Sequence, residues 1–194
     1  GVEVWNKLYK LAFLRKNHLY FDKEVYFAED RLFNLKFISN NPKIAIIDEY
    51  TYYYFYNANS VSNIYKKNLY ENYHSFLKLY LEYLNKRGRF RENKDLVALR
   101  PFSSIDSVTR ECYIYSKSKY KDIKKEIIKF KNHDETNRIM KELTRGGYVK
   151  YIPRRFFKYY IWLFTKLFNF NLICLATLLQ MFRFKITKVE KYKN

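Results

Sequence analysis

The chain is poor in the residues that build cross-links and metal sites. Of its 194 residues two are cysteines, Cys112 and Cys174, far apart and without metal-type spacing. That excludes a disulfide framework and suits reduced thiols in a cytoplasmic protein. The three histidines, His18, His74 and His133, are equally scattered and offer no ligand spacing. No Gly-x-Ser-x-Gly occurs, so a serine nucleophile on a sharp strand-to-helix turn has no support. No RNP, zinc-finger or helix-turn-helix pattern occurs, which makes a nucleic-acid partner a poor expectation. Long uncharged runs are missing too. The apolar run Leu167 to Phe182 has only 16 uncharged residues and contains Asn169, Asn171 and Gln180, whereas a comfortable membrane span needs about 20 apolar residues.

Acids are scarce: 19 against 38 Lys and Arg, a formal charge of +19. Such an excess calls for an anionic partner, and an anionic membrane surface, a phosphorylated ligand and nucleic acid all qualify. Apolar content of 48% argues for a packed core. Aromatic content is 21%, but Lys, Asn, Ile and Tyr are abundant together, so an AT-rich coding sequence accounts for part of it.

Along the chain, Leu8, Leu11, Ala12 and Phe13 predict a short helix ending at Arg15-Lys16-Asn17. Leu32, Phe33, Leu35, Phe37 and Ile38 give one apolar side to a helix over 29–39, stopped by Asn40-Asn41-Pro42. Ile44-Ala45-Ile46-Ile47 has the β-branched composition of a buried strand, and Tyr50 to Tyr56 is a second strand candidate. The clearest helix is 63–88, where Leu69, Tyr73, Phe76, Leu77, Tyr80, Leu81 and Leu84 recur at three and four and Gly88 caps the end. Residues 89–100 read as a polar connection before Pro101, and 106–145 as two or three short lysine-rich helices with Ile123, Ile127 and Phe130 on one side. The basic, aromatic stretch Tyr159 to Phe182 leaves three readings open: a helix pair at a membrane surface, a buried core helix, or a true span.

Glu29-Asp30 is the pair that suggests chemistry. Adjacent residues on a helix point about 100° apart, so the two cannot form a dyad on one substrate. One can act as a base while the other braces the loop; alternatively both are helix-start acids with a capping role. A base there needs burial or a like charge to restore the proton affinity that the helix dipole lowers.

Trp5-Asn6-Lys7-Leu8-Tyr9, Phe13-Leu14, Leu19-Tyr20-Phe21-Asp22, Ala28-Glu29-Asp30-Arg31-Leu32-Phe33, Tyr52-Tyr53-Tyr54 and Asn59-Ser60-Val61-Ser62 follow one another over residues 3–65. In order and spacing this series resembles the acceptor half of bacterial family 2 glycosyltransferases of GT-A fold. The resemblance implies an inverting transferase for cell-surface polysaccharide, with Asp30 as the base on an acceptor hydroxyl. By the same carry-over Glu29 positions the acceptor, Trp5 and Lys7 line its side, and Ser60 and Ser62 lie near the site. Its partners would be a nucleotide-sugar donor, bound by an N-terminal α/β half that this chain lacks so that the chain alone is expected to be inactive, and a saccharide or lipid-linked acceptor, and its place the cytoplasmic face of the cell membrane. It also implies a divalent metal, Mg or Mn, held by an Asp-x-Asp motif, which this chain lacks. A basic residue expected after the tyrosine run is replaced by Phe55.

The expected architecture is therefore an α/β piece at 1–62 with a short mixed sheet, a partial GT-A fold, then a mainly helical extension. The extension divides into 63–147 and a basic, aromatic, membrane-associating tail at 148–194. The strand-like opening Val2-Glu3-Val4-Trp5 leads to the expectation of a portion of a longer protein, with a truncated, inactive remnant that binds membrane or acceptor as the alternative.

Overall fold

A computed structural model describes residues 3–49, 51–53, 55, 66 and 68–188. Its regular elements are helices. These are α1 (Leu11–Lys16), α2 (Glu29–Ile38), α3 (Leu69–Lys86), α4 (Phe90–Tyr115), α5 (Lys119–Lys131), α6 (Asp134–Leu143), a 3-10 turn (Gly147–Tyr151), α7 (Arg155–Asn169) and α8 (Ile173–Ile186). The chain divides into two compact units, Gly1–Ile64 with Glu71–Lys86, and Tyr65–Tyr70 with Arg87–Asn194.

The expected α/β fold with a short sheet is overturned: among the described residues there is no strand. Ile44, Ile46 and Ile47 are 64%, 94% and 63% exposed, so their β-branched run is neither paired nor buried. A helix satisfies its N–H and C=O groups within one segment, whereas a strand needs a neighbour about 4.8 Å away. No described segment fills that role for 43–48. The described part of the second candidate, residues 51–53 and 55, is likewise without strand structure.

In the first unit α2 and α3 supply the core. Leu32, Phe33, Tyr73, Phe76, Leu77, Tyr80, Leu81 and Leu84 are buried, with Leu19 and Val25 added from the loop between α1 and α2. The three-and-four spacing in α3 is what puts its apolar residues on one side. Gly88, at φ 64°, follows α3 in the left-handed conformation that glycine adopts without strain. Lys36 of α2 ties down the loop through Asp22, at 2.7 Å to both carboxylate oxygens. Tyr83 of α3 donates to the Lys36 carbonyl at 3.3 Å.

In the second unit α4 packs on α5, α6, α8 and the 3-10 turn, and α7 packs on α6 and α8. The polar connection expected over 89–100 is instead the first part of α4, which runs unbroken through Pro101. A proline inside a helix costs about 3 kcal/mol through its missing N–H and its ring. Burial of Val97, Ala98, Phe102, Ile105 and Val108 along one side of α4 offsets that cost. A Cβ at Gly147 would meet the Asp95 carboxylate, which would have to swing aside to admit it.

The core holds a polar network joining α4, α7 and α8. Gln180 Nε2 donates to Asp106 Oδ1 and Thr109 Oγ1, each at 2.8 Å. Tyr160 donates to Gln180 Oε1. Arg183 pairs with Asp106 and lies over the Tyr160 and Phe184 rings at 4.9 and 4.6 Å. Burial pushes the Asp106 carboxyl up while the Arg183 guanidinium opposes the shift. Network members left without partners would be strongly destabilising, so these contacts select one packing of the α7–α8 hairpin.

That hairpin bears on the three readings of Tyr159 to Phe182, and the span is the one it does not support. Tyr160, Ile161, Phe164, Thr165 and Phe168 of α7 are buried, as are Ile173, Ala176, Thr177, Gln180 and Phe184 of α8. The opposite sides are exposed and largely apolar. No helix among the described residues is long and apolar enough to cross a membrane.

Candidate functional site

The site grows from the entry into α2. Ala28 precedes the helix with φ 71° and ψ 15°, a left-handed conformation in a residue that carries a Cβ. Holding it costs about 1–3 kcal/mol, which the surroundings must offset. Asn72, buried on α3, does much of this. Its Oδ1 accepts the N–H groups of Tyr26 and Phe27 at 2.9 and 3.1 Å, and its Nδ2 donates to the Phe27 carbonyl at 2.8 Å. The backbone entering Ala28 is thereby clamped. Sequence reasoning missed Asn72, although an amide at helical spacing from Leu69 and Phe76, on an otherwise apolar side, was a visible signal.

Glu29 and Asp30 fill the first turn of α2, where the positive end of the helix dipole favours carboxylates. Asp30 Oδ2 accepts the Val4 N–H at 3.3 Å, which draws residues 3–7 onto the head of the helix. Burial pushes the Glu29 carboxyl above its ordinary range; its own backbone N–H opposes this and the Asp30 charge adds to it. Tyr9 lies edge-on against Phe33 and Phe37 and donates to Asn34 Oδ1 at 2.8 Å. Burial, then the charge of Asp30, raise its phenol.

Of the residues singled out from the sequence, Asp30, Glu29 and the loop carrying Trp5 and Lys7 come together. The Trp5 ring is 45% exposed and packs against Tyr52 at 4.7 Å between centroids. Lys7 turns back onto its own loop: its ammonium donates to Asn6 Oδ1 at 2.6 Å and to the Glu3 carbonyl. Ser60 and Ser62 lie outside the described residues. Phe55, where a basic residue was expected, is exposed.

The pieces make a half-open edge: an aromatic face, two carboxylates on a helix dipole, and a held backbone turn. Such an edge suits a polyhydroxylated ligand, with a ring to cover its apolar face and acids to accept its hydroxyls. Among the described residues no three His, Cys, Asp or Glu gather into a group that could hold a metal ion.

No family model matches the chain, and no solved structure matches it. Two curated proteins do, over short stretches. An uncharacterised glycosyltransferase of Bacillus subtilis, EpsJ, is 36% identical over 61 residues, which is 31% of this chain and 18% of that protein. Staphylococcus aureus TarS, a poly(ribitol-phosphate) beta-N-acetylglucosaminyltransferase, is 40% identical over 48 residues, 25% of this chain and 8% of that protein. The match thus spans under a fifth of either relative, and within it the chain is similar to bacterial glycosyltransferases.

Proposed function

We propose that this chain carries the acceptor side of an inverting, family 2 glycosyltransferase of cell-surface polysaccharide synthesis. The observation that supports it most is the joining of Asp30 and the Trp5 loop at the head of α2. The local similarity to two glycosyltransferases supports it independently. In this reading Asp30 takes the proton of an acceptor hydroxyl. The freed oxygen forms a bond to the anomeric carbon of a nucleotide-sugar, the bond to the nucleoside diphosphate breaks on the opposite face, and configuration inverts. Glu29 orients the hydroxyl, and Trp5 lies under a sugar ring. Lys7, Ser60 and Ser62 belong to the same acceptor side. The acceptor is a saccharide or lipid-linked saccharide at the inner face of the cell membrane.

The test pairs a binding measurement with a turnover measurement. Saturation-transfer NMR with a panel of oligosaccharides should show contacts that Trp5→Ala removes and Asp30→Asn keeps. Release of nucleoside diphosphate from a panel of UDP-sugars should fall by about 10²- to 10⁴-fold in Asp30→Asn, the range expected for loss of a general base. Undiminished release by that variant would overturn the assignment of Asp30. Binding without any release by the unaltered chain would favour the alternative, a part that binds acceptor and does not transfer by itself.

A further inference from the structure

The α7–α8 hairpin has two apolar sides, and its packing uses only one. Phe156, Tyr159 and Trp162 of α7 are 65%, 70% and 48% exposed, and Leu175, Leu178 and Phe182 of α8 are 51%, 52% and 60% exposed. Their spacing of three and four places each set along one face of its helix. Single exposed apolar residues are ordinary on a protein surface; six on two helices packed against each other form a patch that needs an occupant.

Charge selects the occupant. Between Glu142 and Glu190 the sequence has nine Lys and Arg and no acid at all. Arg154 and Arg155 at the start of α7, and Lys185 and Lys188 at the end of α8, are exposed. Asp106 neutralises Arg183 inside the unit, so that cation is not part of the surface field. A second copy of the chain, placed face to face, would set this cationic field against itself with no acid in the stretch to answer it. An anionic bilayer answers both features: acyl chains take the aromatic and leucine side chains, and lipid phosphates take the cations. Tyr and Trp are the side chains that partition to that boundary. No described helix can cross a membrane, so the face would lie in the interfacial plane.

We propose that the outer face of the α7–α8 hairpin docks the chain on an anionic lipid bilayer. The proposal stands apart from glycosyl transfer and uses none of the residues at the head of α2. The full chain is sedimented with vesicles of phosphatidylcholine alone and of phosphatidylcholine with phosphatidylglycerol. Binding to the anionic vesicles should exceed binding to the neutral ones at least tenfold, and Leu175→Gln/Leu178→Gln/Phe182→Gln should lose at least tenfold on the anionic vesicles. In a Trp5→Phe background, which leaves Trp162 as the sole tryptophan, emission should shift to the blue on anionic vesicles and be quenched by brominated acyl chains. Asp30→Asn should bind as the unaltered chain does, which separates failure here from failure of the transfer reading. Equal binding by the triple variant, or absence of quenching, would overturn the proposal. So would a dimer in solution that the triple variant converts to monomer, since the face would then belong to a second copy.

Discussion

At the scale of single residues, Asn72 and Glu29 carry the sharpest consequences. Asn72 satisfies three backbone groups on the approach to Ala28. Asn72→Ala strands them, and an unsatisfied buried polar group costs about 1–3 kcal/mol. Urea denaturation should show a loss of that size. The same variant should weaken saccharide contacts at Trp5, because the turn that presents Glu29 and Asp30 loses its clamp. Glu29 makes a prediction about pH. Its carboxyl is raised in the folded chain, so across the window from its unfolded value to its folded value the folded state holds more protons than the unfolded state. Stability therefore falls as pH rises through that window. Glu29→Gln removes this penalty, so the variant should be the more stable at neutral pH, with the advantage vanishing below about pH 4. Thermal melts from pH 3 to pH 8 read the difference directly. A constant difference across that range would mean that burial of the charge is not its origin.

At the scale of elements, α7 shows how one helix serves two environments. Phe164 is fully buried, edge-on to Phe102 at 5.6 Å. Phe164→Ala should cost about 3–5 kcal/mol, the usual range for an aromatic removed from a core. Tyr159, on the exposed side of the same helix, should tolerate Tyr159→Ser within about 0.5 kcal/mol. Guanidinium denaturation of the two variants compares the faces. The helix expected over 29–39, and the one within 106–145 that carries Ile123, Ile127 and Phe130 on one side, were legible in the sequence, because three-and-four spacing acts between near neighbours. The continuity of α4 was not. Pro101 is a strong local signal for a break, and the contacts that override it come from α5, α6 and α8. The run Ile44-Ala45-Ile46-Ile47 failed in the opposite sense: its composition suits a strand, but pairing is decided by a second segment that local composition cannot supply.

At the scale of the whole molecule, charge dominates. The +19 excess rests on 38 Lys and Arg, and the chain has only three His, the residue type whose ordinary pKa lies near neutrality. Binding to anionic vesicles should therefore be nearly flat from pH 6 to 8. It should fall steeply with salt, because the Debye length shrinks from about 10 Å at 0.1 M to about 3 Å at 1 M. Sedimentation across both series tests this, and a binding curve indifferent to salt would assign the attachment to apolar insertion alone.

The sequence by itself determined the helices whose signals are local, the acidic start of α2, the buried side of α5 and the cationic character of the chain. It also carried the short similarity to two bacterial glycosyltransferases, which is read without coordinates. Tertiary structure decided the rest. Among the described residues it left 44–47 without a strand partner, and it carried α4 through Pro101, set Asn72 against the turn before Ala28, and brought Val4 to Asp30 across 26 positions of sequence. The division follows the physics. Helical hydrogen bonds and caps join residues a few positions apart, whereas strand pairing, core burial and the closing of a site depend on segments that meet only when the chain has folded.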